Sequence, residues 1–131
     1  MTREIKFRAK IVMDVEPLAM KKGDWVEGHY YEDLQDGEWC SWIQECNDII
    51  HYKVDKNTLG QFTGLLDKNG KEIWEHDIVD WYCAKLRVEF IDGCFCMHED
   101  DTLHDLFSEC DEISVVGNAF DNPELLKTEA L

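Results

Sequence analysis

Turn dipeptides recur along this chain between short runs of alternating apolar and polar residues, and that rhythm restricts the fold more than any other feature. The clearest case is Lys85 to His98. Leu86, Val88 and Phe90 alternate with Arg87 and Glu89, then Asp92-Gly93 supplies residues that tolerate positive φ, and Cys94 to His98 runs back. Asp36-Gly37 plays the same part between an aromatic-rich run, Trp25 to Tyr31, and Glu38 to Gln44. Asn47-Asp48 breaks the chain before Ile49 to Val54, and Asp67 to Gly70 is a third strong turn, leading to a strand over Ile78 to Tyr82. At the start, Ile5, Phe7 and Ala9 alternate with Glu4, Lys6, Arg8 and Lys10, which is the period of a half-buried strand.

These patterns predict a mainly β fold, an antiparallel meander or small SH3-like barrel. Thr58 to Thr63 and Ile113 to Asn118 read as further extended segments. The period changes at Leu103, Leu106, Phe107 and Cys110, whose spacing predicts a short helix near 100–110, with Asp100 or Asp101 as its N-cap. Asn122-Pro123 opens a polar tail with one or two helical turns near 123–130. A length of 131 residues suits one domain, 1–131, which could divide into an N-terminal layer, 1–57, and a C-terminal barrel, 58–122.

Charge narrows the partners. Asp and Glu number 29 against 13 Lys and Arg, a formal net charge of -16. Nonspecific nucleic-acid affinity comes from cations that release counterions, so direct nucleic-acid binding is not expected, nor is binding to anionic membrane surfaces. The chain has no apolar run of the roughly 18 residues a membrane helix needs. MTREIKFRAK has no apolar stretch of the signal-peptide kind, which predicts a cytoplasmic protein in the host cell. Cys40, Cys46, Cys83, Cys94, Cys96 and Cys110 are then expected as reduced thiols.

Four segments in order carry a likeness: REIKFRA (Arg3 to Ala9), Trp25-Val26-Glu27-Gly28, TLGQFTGLLDKNGKEIWEHDIV (Thr58 to Val79), and Val116-Gly117-Asn118 with Asn122 to Leu126. Together they resemble the YopX family. The resemblance implies a phage or prophage origin, a mainly β fold and homo-oligomers, and it implies no reaction. It singles out Trp25, Gly28, Gly60, Gln61, Thr63, Gly64, Asp67, Gly70, Asp77, Gly117 and Asn118, which we read as fold-determining: the glycines as turn and packing positions, and Gln61, Thr63, Lys71, Glu72 and Asp77 as local hydrogen-bonding groups. The chain carries His76 where relatives commonly carry Gly, which argues against reading that turn as an anion-binding nest.

Chemistry has few handles. Cys94, Cys96 and His98 would share one strand face, with His104 and Cys110 as further donors, but a C-x-C on a straight strand cannot bring both sulfurs to one zinc as a C-x2-4-C knuckle does. Acids cluster at Glu72, Glu75, Asp77 and Asp80, and again at Glu99, Asp100, Asp101 and Asp105; paired carboxylates can hold Mg²⁺ or exchange protons, and charge runs usually solvate a surface. Asp67-Lys-Asn-Gly70 lacks the spacing of a calcium-binding EF-hand loop, and no nucleophile elbow, P-loop or dinucleotide fingerprint occurs. Ser41, Ser108 and Ser114 sit in no recognisable catalytic turn.

Five tryptophans are many for this length, and Trp39 and Trp42 fall on opposite faces of one strand, so both cannot enter one core. The function expected is that of a binding or assembly protein that self-associates, with no catalysis and no cofactor, and with a host or phage protein as a further partner. Two alternatives stand beside it: an acidic mimic of nucleic acid that inhibits a host protein, and a divalent-metal enzyme acting on nucleic acid.

Overall fold

The structure is a computed structural model, describing residues 4–46, 49–99 and 101–126. Asn47-Asp48, Asp100, the opening of the REIKFRA segment and the tail beyond 126 lie outside the described residues. The chain forms two compact units, 1–61 and 62–131. The boundary falls within a strand, β5 (Gly60–Leu66).

In the first unit, β1 (Phe7–Lys10) pairs antiparallel with β2 (Trp25–Gln35), and β2 with β3 (Glu38–Glu45). β3 pairs with the short β4 (His51–Lys53). The other edge of β1 takes the first residues of β5 (Gly60–Leu66), Gly60 and Gln61. β5 begins at Gly60, later than the expected Thr58, because Lys56–Thr58 closes a 3-10 turn capped by the Asp55 side chain. Thr58 Oγ1 donates to Asp55 O at 2.7 Å and accepts the Lys10 amide at 2.9 Å, tying that turn to β1. One face of this sheet is the core: Ala9, Ile11, Val26, Ile43, Tyr52 and Val54 are buried together.

β2 is long for a reason visible in its register. β1 covers it only from Trp25 to Gly28, whereas β3 accompanies it to Gln35. Past Tyr31 and Trp42, where β4 also stops, the pair is a two-stranded ribbon ending in a tight turn, where Asp36 at φ 49° and Gly37 at φ 81° both take the positive φ that matches strand twist.

In the second unit, the rest of β5 pairs with β6 (Glu72–Trp74), with a shift in register around Gly64 at φ 84°. β7 (Asp77–Trp81), β8 (Ala84–Ile91) and β9 (Cys94–Glu99) form the expected meander, and Asp92 at φ 51° with Gly93 at φ 85° closes the hairpin read from the sequence. β10 (Thr102–Asp105) and β11 (Ser114–Asn118) complete an open antiparallel order β10-β9-β8-β7-β11. Ile73, Val79, Leu86, Val88, Phe95, Met97, Leu106 and Ile113 make its core. At about 25 cal/mol per Å² of buried apolar surface, each such side chain contributes about 1.5–3 kcal/mol before entropy is counted.

The fold is mainly β, as the turn rhythm requires. The helix is shorter than its period suggested: α1 covers Leu106–Glu109 and runs into a 3-10 turn, Cys110–Glu112. Thr102–Asp105 is a strand instead, because its backbone pairs with β9, and the helix cap moves to Asp105, whose carboxylate accepts the Phe107 amide at 3.3 Å. Leu106 is fully buried while Leu103 and Phe107 are exposed, so the helical spacing did not mark one buried face. Pro123–Leu126 forms a 3-10 turn. Among the described residues no helix is long and apolar enough to cross a membrane.

Candidate functional site

The residues of the long central motif are held by one another. Asp67 is buried at the turn after β5, and its two carboxylate oxygens take three backbone amides: Oδ1 accepts from Asn69 at 2.8 Å and Lys71 at 2.9 Å, Oδ2 from Val115 at 2.8 Å. Burial pushes its pKa up, but the amides of Val115, Lys71 and Asn69 outweigh that and hold the carboxyl below the usual aspartate value. Gly70, at φ 81°, donates its amide to Asp67 O at 3.0 Å to finish the turn. Thr63 Oγ1 donates to Ile73 O at 2.7 Å and accepts the Leu65 amide at 3.2 Å, which bridges the register shift at Gly64. Asp77, also buried, accepts the Trp74 amide at 2.8 Å across the turn between β6 and β7.

That turn carries His76 at φ 75°, so the imidazole occupies the conformation a glycine would take there. Its Nδ1 lies 2.9 Å from Arg87 Nη2, its Nε2 3.5 Å from Glu75 Oε2, and its ring meets Phe120 edge-on with centroids 5.3 Å apart. A nitrogen that accepts from a guanidinium carries no proton, so Arg87 sets the tautomer of His76. At the end of β11, Asn118 Oδ1 accepts from Phe120 at 3.0 Å and Asp121 at 2.9 Å, while Asn122 Oδ1 accepts the Asn118 amide at 3.2 Å. Gly117 leaves room for this: a Cβ there would lie 2.5 Å from Asn122 Oδ1. Gly28 is a second close approach, since its Cβ would lie 2.0 Å from the Gln44 carbonyl oxygen. Gly60 and Gln61 sit in the β1–β5 ladder, and Trp25 pairs with Lys10.

Among the described residues the chemistry-bearing sets do not converge. Cys94 and His98 are exposed, whereas Cys96 between them is buried, its thiol directed at Glu89 O. His98 Nδ1 lies 3.6 Å from Glu89, and His104 Nε2 3.4 Å from Glu99. Burial pushes the thiols of Cys96 and Cys110 up, away from the thiolate that metal binding needs. Among the described acids, Asp77 and Asp105 serve backbone amides and Asp80 lies 3.4 Å from Lys85. No three His, Cys, Asp or Glu side chains among the described residues are grouped as metal ligands.

Two surface features stand apart. Alternation already separated Trp39 from Trp42, and the structure exposes Trp39 and half-buries Trp42 on the opposite face. The first is the ribbon tip, where the directly opposed pair Leu34 and Trp39 is exposed, Trp39 by 72%. The second is the outward face of the first sheet. Tyr31 and Trp42 are opposite one another there, with ring planes 12° apart and centroids 6.4 Å apart. Tyr31 Oη lies 2.6 Å from His51 Nδ1, and Trp42 Nε1 donates to Asp33 at 2.7 Å. Further along the same face, Arg8 lies 4.8 Å and Lys10 5.4 Å from the centre of the Trp25 ring. Period-2 alternation of 25, 27, 29 and 31 was the available signal, masked by the adjacent apolar positions.

A family description, "YopX protein", matches residues 6–127. The chain belongs to the YopX family. No curated protein matches it. Among solved structures, this YopX chain is similar to the crystal structure of protein EF1440 from Enterococcus faecalis, with a TM-score of 0.55 and 22% sequence identity, over 96% of this chain and 100% of that one. At that identity the likeness carries the fold. The bonds of Asp67, Thr63, Asp77 and Asn118 place these YopX motif residues in turns and ladders.

Proposed function

We propose that this YopX protein works by binding and not by catalysis: a phage- or prophage-type assembly protein of the bacterial cytoplasm that self-associates. The observation that supports the reading is the ribbon of β2 and β3, which carries Leu34 and Trp39 past the last core residues and leaves both exposed. Paired exposed large apolar side chains on a globular chain mark interfaces, since their burial against a partner returns a large apolar area. Tyr82 and Phe107 in the second unit are exposed by 71% and 74%, further candidates for contact. Light scattering across a concentration series tests the proposal: a mass that is a multiple of the chain's supports it, and a strict monomer at high micromolar concentration refutes it.

Charge favours a second reading for the second unit alone. Residues 62–131 hold seventeen acids and five Lys or Arg, against twelve and eight in residues 1–61. A surface of this kind can occupy a basic groove of a host nucleic-acid enzyme. Capture of such enzymes from lysate by residues of this unit, reversed by high salt, is the expected result; capture that ignores salt contradicts it. The metal-dependent enzyme draws no support from the described residues.

A further inference from the structure

We infer that the end of the second sheet around Tyr82 is a docking site for an arginine-bearing segment of a different protein. The inference rests on the charge-based reading of residues 62–131 and narrows that reading to one place. It is independent of the ribbon tip.

Three rings stand in a row there. Tyr82, in the turn between β7 and β8, lies 5.3 Å from Trp81 by ring centroids, with planes 59° apart. Trp81 in turn lies 4.5 Å from His104 on β10, with planes 55° apart. Trp81 and His104 are half-buried, Trp81 against the core, and Tyr82 at the end of the row is exposed. Tyr82 holds φ 49° and Cys83 φ 71°, a backbone shape that glycine adopts without strain. A bulky exposed ring kept in that conformation fits a side chain retained for contact.

Carboxylates surround the exposed ring. Tyr82 Oη donates to Glu112 Oε2 at 3.4 Å, and Glu109 and Asp111 belong to the same run of helical turns, Leu106–Glu109 and Cys110–Glu112. The Glu112 charge first, then partial desolvation, then the Glu109 and Asp111 charges push the Tyr82 phenol above its ordinary value. At the other end of the row Glu99 lies 3.4 Å from His104 Nε2. No Lys or Arg occurs between positions 88 and 126. Lys85 lies 3.4 Å from Asp80, and Lys68 comes beside the turn through its amide, which donates to Ile113 O at 3.0 Å. Among the described residues no cation forms an ion pair with Glu109, Asp111 or Glu112. A partner of opposite charge therefore meets carboxylates that the unit itself leaves unneutralised.

The rings select among cations. A guanidinium is planar and can stack on an aromatic face while its fork meets a carboxylate, whereas an ammonium is a strongly hydrated point charge. Tyr82 and Glu112 present those two partners side by side. A second copy of this chain does not supply the group. Of its described arginines, Arg8 lies over the Trp25 ring at 4.8 Å and Arg87 Nη2 lies 2.9 Å from His76 Nδ1. The occupant is thus a basic segment of another protein, with an arginine on the Tyr82 ring and further cations at Glu109 and Asp111.

The test is fluorescence anisotropy of labelled hexaarginine and hexalysine with the full chain at physiological salt. The expected result is about fivefold tighter binding of hexaarginine, the size of one exposed cation–π contact. Tyr82→Ala should erase that preference and Tyr82→Phe keep it, while Glu112→Gln weakens hexaarginine binding about threefold. Tyr82 and Glu112 are exposed, so thermal unfolding of the three variants should stay near the parent's. Equal binding of the two peptides, or an arginine preference that survives Tyr82→Ala, overturns the inference and leaves the charge-based reading standing. No binding of either peptide at low salt removes both.

Discussion

Asp67 and Val115 are 48 residues apart in sequence, and the Asp67 carboxylate accepts the Val115 amide at 2.8 Å. One side chain thus ties the turn after β5 to β11, while its other oxygen holds the turn itself. Replacing Asp67 by Asn keeps the shape but cannot serve three amides with an anionic oxygen pair, and the cost expected is about 1.5–3 kcal/mol. The pH dependence follows from the depressed pKa. A carboxyl held below its unfolded value contributes stability that is complete above about pH 4 and is lost as pH falls through the folded value. Acid unfolding of the Asn variant should therefore be shallower below pH 4 than that of the parent; identical curves would remove Asp67 from the account.

Gly28 gives a sharper contrast. A methyl there meets the Gln44 carbonyl oxygen at 2.0 Å and its carbon at 2.7 Å, both backbone atoms that cannot rotate away. Gly28→Ala should destabilise by about 3 kcal/mol or more, beyond ordinary overpacking. Gly37→Ala meets open space and costs only the left-handed backbone, about 1–2 kcal/mol. Urea titrations of the two variants check the order.

His76→Gly sets two effects against each other. Relief of the positive φ returns about 1 kcal/mol. Loss of the Arg87 bond removes about 1–2 kcal/mol at this partly exposed position, and loss of the Phe120 contact about 0.5–1.5 more. The variant should be less stable than the parent, by about 1–2 kcal/mol in thermal or denaturant unfolding. A more stable variant would mean the imidazole contacts contribute little.

Thiol chemistry separates the six cysteines. Cys46, Cys83 and Cys94 are exposed and should alkylate first. Cys40 and Cys96 are buried, and burial also pushes the Cys96 thiol up, so both should react at least tenfold more slowly in the folded chain. Peptide mapping after timed iodoacetamide treatment gives the order directly.

The hairpins were legible because Asp-Gly announces positive φ at both turn positions. The turn between β7 and β8 was not, because Tyr82 at φ 49° and Cys83 at φ 71° adopt the same shape without a glycine. Thr102–Asp105 misled for a different reason: local spacing favoured a helix, and the open edge of β9 that claims it is a tertiary fact. The motif residues could be read as structural because Asp, Asn, Thr and Gly act on nearby backbone. The outward face of the first sheet could not, because its rings come from three strands that the sequence keeps apart.

The central claim, that this YopX chain self-associates through the ribbon tip, is tested most directly by sedimentation equilibrium of the parent and of a Leu34→Ser, Trp39→Ser double variant. Both side chains are exposed, so the variant should unfold at nearly the parent's midpoint. The account predicts an oligomeric parent and a variant whose dissociation constant rises by about a hundredfold or more, as loss of two buried apolar anchors entails. A parent that stays monomeric, or a variant that associates as tightly as the parent, would contradict it.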